Sequence, residues 1–253
     1  MMKYLTALKN YFKSYPRMVK QEVLRSGKLQ FEVHNLIEED RVTGSNSEIE
    51  FTEEIIKELK SSDNYFDVGS CIGFTAIAAA KNAGCRVFAF EPDAELAEHL
   101  RHNISLNALT DIIQVNQWAV SDKDGTIDFF TSGANGASPS LAQTQNQNRK
   151  ISVNTYKIDS AIDQKMIEPP SVMKIDIEGA ELMALKGMNK IFSTGTGPRT
   201  IFIESHPPFM EHFNHTIEML QQYMKENNYK EVYMKKRGEE YHHKFIKLGQ
   251  GNV

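Results

Sequence analysis

Four short apolar runs in this chain end in residues that could do chemistry, and those residues carry the argument. The run through Tyr65 and Phe66 ends at Asp67 and turns through Gly69 and Gly73. The run Arg86–Phe90 stops at Glu91. Farther on, Lys174, Asp176 and Glu178 alternate with Met173, Ile175 and Ile177, and the run Thr200–His206 closes on Glu204, Ser205 and His206. The two glycines let the backbone turn tightly and approach a ligand, because neither has a Cβ in the way. An acid at the tip of a second strand is placed to accept hydrogen bonds from both hydroxyls of a ribose.

The turn reads D-x-G-x-x-x-G, whereas the dinucleotide fingerprint is G-x-G-x-x-G. A carboxylate just before the turn would repel a pyrophosphate lying over the helix N-terminus. The same carboxylate suits a ligand with an ammonium and a sulfonium, and S-adenosylmethionine has both. An ordinary strand and helix with a packing glycine would also produce a two-glycine turn. The preceding Asp67 and the following Phe90-Glu91-Pro92 favour the cofactor.

A strand over Val172–Ile177 would put Lys174, Asp176 and Glu178 on one face. A buried parallel strand carries such charges only for a reason, and its carboxyl end is where open α/β sheets bind ligands. A Lys174–Asp176 ion pair with Glu178 capping the next helix is a structural account that can hold at the same time. His212 and His215, three residues apart, could join His206 and Glu204 around a metal, but no recognised metal spacing is completed and none is expected.

These residues need a frame of strands and helices. Glycine turn, the alanine-rich TAIAAAKNAG and the run Arg86–Phe90 make a strand–helix–strand unit, the first half of a nucleotide-binding α/β fold. The helix over Glu50–Lys60, with Thr52 as N-cap, leads into it, and a helix over Asp93–Ala108 follows. Asp111–Val120 reads as a third strand, so that Asn116, Trp118 and Ala119 would border an adenine; Trp118 is equally suited to being a large core residue. Strands over Thr126–Thr131 and Ile151–Ile158 flank the polar stretch Ser132–Lys150, which reads as a binding lid or as filler. Phe209–Glu226 reads as a helix, and Tyr229–Lys235 with His242–Leu248 as a hairpin that supplies an antiparallel edge.

Residues 1–30 hold seven basic residues and one acid, interleaved with Tyr4, Leu5, Leu8, Tyr11, Phe12, Tyr15 and Met18. Parts fit helical spacing, interrupted by Pro16. One reading is an arm in weak contact with an anionic membrane surface; the other is a helix that caps the domain with its basic face in water. Gln30–Ile37 reads as a short strand and Glu38–Asn46 as a polar loop. The division expected is a basic helical or extended arm over 1–45 and one domain over 46–253.

At 253 residues and net charge −4 the chain suits one α/β domain and does not suit a general nucleic-acid binder. Two cysteines, Cys71 and Cys85, without metal spacing point to a reducing compartment. No apolar run nears the roughly 18 residues of a membrane span and no signal peptide is visible. A cytoplasmic protein, peripheral to the membrane if the arm binds lipid, is the expectation.

YFDVGSCIGFTA, FAFEP, VMKIDIEGAELMALKG and IFIESH, with VNTYKIDSAID between the clusters, resemble the FkbM-type family of S-adenosylmethionine-dependent methyltransferases. The likeness runs from about Glu50 to His206. Cys71-Ile72 stand where that family commonly has Ala-Asn-Ile or a close relative. The resemblance implies a Rossmann-like class I methyltransferase with a mostly parallel seven-stranded sheet, helices on both faces and a C-terminal antiparallel hairpin. It also implies O-methylation of a hydroxyl on a sugar, glycan, lipid or secondary metabolite. Asp67, Gly69 and Gly73 would hold the amino-acid end of the cofactor, Glu91 the ribose, and Asn116, Trp118 and Ala119 the adenine. Asp176, Glu178, Glu204 and His206 are the candidates for the base or for orienting the acceptor. Two other readings compete: a nicotinamide-dependent oxidoreductase, and a binding module without catalysis.

Overall fold

The computed structural model of the chain describes residues 14–44, 48–131, 141 and 149–249. The described chain opens with a hairpin, β1 (Arg17–Glu22) and β2 (Lys28–Val33), then α1 (Leu36–Thr43) and α2 (Glu48–Glu58). The α/β core follows as β3 (Asn64–Val68), α3 (Phe74–Ala83), β4 (Arg86–Phe90), α4 (Ala94–Leu106) and β5 (Ile113–Asn116). Next come β6 (Ala119–Val120), β7 (Gly125–Thr131), β8 (Arg149–Tyr156), α5 (Ile158–Asp163) and β9 (Val172–Ile175). Then α6 (Glu181–Lys186), α7 (Asn189–Ser193), β10 (Thr200–Ser205), α8 (Pro207–Met210), α9 (Ile217–Glu226), β11 (Tyr229–Arg237) and β12 (Glu240–Lys247) complete it.

The main sheet has seven strands in the order β11-β12-β10-β9-β3-β4-β5. From β3 the chain winds outward through β4 to β5, then returns to lay β9 on the other side of β3. That reversal makes the carboxyl ends of β3 and β9 a topological switch point, where the crossovers part and leave a crevice. Strand β12 runs antiparallel to both β10 and β11. The hairpin is as expected, but its antiparallel strand is inserted next to β10 and the edge belongs to β11.

Side chains alternate across this sheet with period two. Tyr65, Val87, Ala89, Val172 and Phe202 face one core, shared with α2, α3, α4 and the β1–β2 hairpin. Phe66, Val68, Phe88, Phe90, Met173, Ile175, Ile201 and Ile203 face the other, shared with α5, α6, α7 and α9. A second, three-stranded sheet, β6-β8-β7, stands beside the main one.

Several segments differ from the sequence expectation. The described part of residues 1–30 is a β-hairpin rather than a helix. Leu29, Phe31 and Val33 alternate inward, and Leu24 and Gly27 turn the chain at positive φ. Its apolar residues join the same core as α4, and its outer edge is met by side-chain amides of that helix. Asn103 Oδ1 accepts from the Glu32 N–H at 2.9 Å, and Asn107 both accepts from and donates to the Gln30 backbone. The edge is thereby satisfied without another strand. The described part of 1–45 thus shares the domain core; Tyr4 to Phe12 lie outside the described residues.

Glu38–Asn46, expected as a loop, is mostly helix α1. Asn35 Oδ1 accepts from the N–H groups of Ile37 and Glu38, and Gly44 closes the helix in the left-handed conformation. Thr52 is not an N-cap but a buried residue inside α2. The strand expected over Asp111–Val120 is two pieces that serve different sheets, β5 and β6. Phe209–Glu226 is interrupted at Asn214, at φ 54°, and restarts on Thr216, whose Oγ1 caps Met219. Of the polar stretch 132–150, only Leu141 and the start of β8 are described. Among the described residues no helix is long and apolar enough to cross a membrane.

Candidate active site

A cleft of about 880 Å³, its open mouth included, lies over the carboxyl ends of β3, β4 and β9. Asp67, Gly69, Ser70, Cys71, Glu91, Trp118, Ala119, Asp176 and Glu178 all border it. The size suits a nucleoside-sized ligand with room for a second group.

The floor is the turn between β3 and α3. Its N–H groups at Gly69 and Ser70 both donate to the Phe90 carbonyl, and Ser70 Oγ accepts from the Phe90 N–H at 3.1 Å. The turn is thereby fastened to the end of β4. Gly69 has φ +85°, and a Cβ there would lie 1.8 Å from the Asp176 carbonyl oxygen. Only glycine allows β3 and β9 to close up at this point. Gly73 is not on the cleft surface; a Cβ there would meet Leu100 at 2.4 Å, so it permits α3 to pack on α4.

Asp67 is 1% exposed, and neither carboxylate oxygen has a hydrogen-bond partner among the described residues. The nearest cation is Lys174 Nζ, 3.8 Å away. Burial pushes the Asp67 carboxyl up, against the pull of Lys174. A buried carboxylate with two unmet oxygens on the floor of a cleft is suited to a ligand carrying positive charge and N–H donors. Glu91 accepts from the Asp93 N–H and from the Cys71 N–H, each at 3.0 Å. Those bonds orient the carboxylate, and burial raises its pKa to about 7.

Two expected cofactor contacts are placed differently. Asn116 does not border the cleft: its amide bonds Gln114 at 3.0 and 3.3 Å and reaches the Ala89 carbonyl. Trp118 does border it, but as a wall. Its ring meets Phe90 and Tyr156 edge-on, at centroid distances of 4.9 and 5.3 Å. Sequence reading placed both at one strand end; the break between β5 and β6 separates them.

Asp176 and Glu178 border the same cleft as Glu91. Glu178 is not on the strand face foreseen for it, because β9 stops at Ile175 and the chain turns through Glu178 and Gly179, both at positive φ. The turn nevertheless brings Glu178 beside Asp176. Asp176 Oδ2 accepts from Lys174 at 2.9 Å, the ion pair foreseen from sequence. Burial works against the Lys174 charge, but Asp176, Asp67 and Glu48 outweigh it and hold the ammonium well above its usual range.

His206 and Glu204 do not border the cleft; they stand behind these carboxylates. His206 Nε2 is 3.6 Å from both Asp176 Oδ1 and Glu178 Oε2, and its Nδ1 is 3.0 Å from Glu181 Oε1. Burial would lower its pKa, but Glu178, Glu181 and Asp176 raise it well above the usual imidazole range. Glu204 is paired with Arg237 at 3.0 Å and His242 at 3.3 Å. Against the effect of burial, His242, His206 and Lys174 draw its pKa far below the carboxylate range. His212 and His215 take no part in this group.

Three contributors were not foreseen. Arg41 of α1 lines the cleft from a segment read as a loop, and Glu48 of α2 from just before the helix read over Glu50–Lys60. Glu181, the second acid after Asp176, orients His206. Nothing in their spacing marks the first two; the G-A-E sequence could have flagged Glu181 as a group at a helix start. Arg41 Nη1 lies 2.7 Å from Cys71 Sγ, yet burial still pushes that thiol up to about 11, so it is no ready nucleophile.

The fold is the Rossmann-like one of class I methyltransferases, with its cleft at the switch point. Residues 67–231 match the family described as Methyltransferase FkbM domain, and the chain belongs to that family. Its cofactor is S-adenosylmethionine, which the orphaned Asp67 and the oriented Glu91 fit. The chain is 29% identical over 159 residues to the hexuronic acid methyltransferase AglP of Haloferax volcanii, covering 63% of this chain and 64% of that protein. It is 28% identical over 134 residues to the 2-O-methyltransferase NoeI of Sinorhizobium fredii, covering 47% and 53%. It therefore spans less than two thirds of the length of either relative. M. capricolum TrmK, solved with S-adenosylhomocysteine, shares the fold at TM-score 0.50 and 12% identity, over 78% of this chain and 67% of that one.

Proposed function

We propose that this protein transfers the methyl group of S-adenosylmethionine to a hydroxyl oxygen of a sugar-containing acceptor, free or within a glycan. When bound, the cofactor supplies a methyl already activated by its sulfonium. Asp67 and the Gly69 turn hold the amino-acid end, and Glu91 takes the ribose hydroxyls. Trp118 and Ala119 wall the base, excluding water from it. The task left to the chain is to position the acceptor oxygen and to take its proton.

The observation that carries the reading is the pair of carboxylates, Asp176 and Glu178, on the same cleft as Asp67 and Glu91. Carboxylate oxygens accept hydrogen bonds from hydroxyls, which supports these two as the groups that would orient an acceptor towards the cofactor. Asp176 and Glu178 are the groups that would receive the hydroxyl proton, while His206 stands between them and holds them in place. The names of the two curated relatives, one acting on a hexuronic acid and the other at a 2-oxygen, support a sugar. The methyltransferase family does not favour the nicotinamide reading, and both carboxylates on the cleft argue against a module without catalysis.

The test is a screen of hexuronic acids, neutral hexoses and their oligomers with methyl-labelled cofactor, followed by mass spectrometry. An O-methylated sugar is expected, with turnover about 10²-fold lower in Asp176→Asn and cofactor affinity unchanged. Transfer only to nitrogen or carbon acceptors would refute the assignment.

A further inference from the structure

We propose that Asp176, Glu178 and His206 form a binding site for a divalent transition-metal ion at the acceptor end of the cleft. One oxygen of each carboxylate and one ring nitrogen of His206 lie within 4.8 Å of one another. His206 Nε2 is 3.6 Å from each of the two oxygens, too far for a good hydrogen bond. At metal–ligand bonds of about 2.1 Å, two ligands of a tetrahedral centre stand about 3.4 Å apart. The spacing is that of ligands around an ion rather than of partners in direct contact.

The histidine points to the same conclusion independently. His206 is 3% exposed, and its Nε2 has no hydrogen bond among the described residues, although it is aimed at the two carboxylates. Its other nitrogen is 3.0 Å from Glu181, a fully buried carboxylate itself anchored by the Gly179 N–H at 2.9 Å. A carboxylate that accepts the Nδ1–H hydrogen bond fixes the ring with Nε2 towards the cleft, the usual support of a ligating histidine, and a metal there would displace the Nε2 proton on binding. Asp176 divides its oxygens in the same way, with Oδ2 on Lys174 and Oδ1 towards His206. Neighbouring acids are otherwise engaged: Arg237 stands 3.1 Å from Glu48 and 3.0 Å from Glu204.

One imidazole with two carboxylates suits Mn²⁺ or Zn²⁺ better than Mg²⁺. On the methyl-transfer reading, which the metal's role rests on, an acceptor hydroxyl beside the ion would be acidified, its proton passing to the Glu178 carboxylate. The site itself does not depend on that reading.

Full-length protein, stripped with chelator, would be titrated with Mn²⁺ and with Zn²⁺ by calorimetry, and separately with S-adenosylhomocysteine. One equivalent of metal is expected, with affinity at least tenfold lower in Asp176→Asn and His206→Gln. Glu181→Gln should weaken it by about 10- to 100-fold as a positioning residue. Retained S-adenosylhomocysteine binding in each variant is the check on folding. Homocysteine-nucleoside binding with no metal bound, or metal affinity unchanged in both ligand variants, overturns the site and leaves methyl transfer standing. Metal binding that depends on His206, with no transfer to any hydroxyl, keeps the site and refutes the transfer reading.

Discussion

Glu91 connects the protonation of one side chain to ligand affinity. Its carboxyl is buried against Asp93, which raises its pKa, while two backbone N–H groups and Arg41 lower it, and the balance is about 7. A carboxyl raised in the folded state contributes stability below its unfolded value, and that contribution is lost as pH rises through about 7. Ribose hydroxyls donate to the ionised form, so ligand binding has the opposite dependence. Affinity for S-adenosylhomocysteine should fall about tenfold per pH unit below about 7 and level off above it. Calorimetry across that range checks this; a flat profile would mean the ribose does not sit on Glu91.

Among the elements, the turn from β3 to α3 determines the geometry of the cleft, because it is bound to β4 by hydrogen bonds and to β9 by contact. Gly69→Ala would need a Cβ in the left-handed region and 1.8 Å from the Asp176 carbonyl. The conformation alone costs about 1–2 kcal/mol, and the backbone contact adds to it. A loss of more than about 2 kcal/mol in urea unfolding is expected, together with loss of nucleoside binding. A variant as stable as the parent would show that β3 and β9 have slack between them. Trp118, by contrast, belongs to an edge-on aromatic cluster with Phe90 and Tyr156 whose removal would be felt as a core cavity.

For the molecule as a whole, the C-terminal hairpin and α2 meet through several side chains, among them Lys235 on Glu50, Lys244 on Glu58 and Arg237 on Glu48. Arg237, from the end of β11, pairs with Glu48 of α2 at 3.1 Å and with Glu204 of β10 at 3.0 Å. Removing it leaves two carboxylates facing each other, and burial with Glu204 already raises the Glu48 pKa. Arg237 is about a quarter exposed, so the loss in Arg237→Ala should be about 2 kcal/mol, below the 3–5 of a fully buried pair. An unchanged urea midpoint would show that solvent screens this network.

The sequence by itself determined the α/β fold, the turn at Asp67–Gly73 and the acid at Glu91. Those features follow from short-range rules: apolar runs of strand length, glycines where the chain must turn, and acids at strand ends. It was also enough to mark Asp176, Glu178, Glu204 and His206, because charges in a buried run stand out. Only the tertiary structure decided which of them meet. Glu178 reaches Asp176 through a left-handed turn instead of along a strand, and His206 is aimed at both because Glu181 holds its far side. Arg41 and Glu48 come to the cleft from helices whose own patterns are unremarkable. Asn116 leaves it because one expected strand divides between two sheets. Contacts of that kind depend on how distant segments pack, and a local period of two or of 3.6 residues contains no information about them.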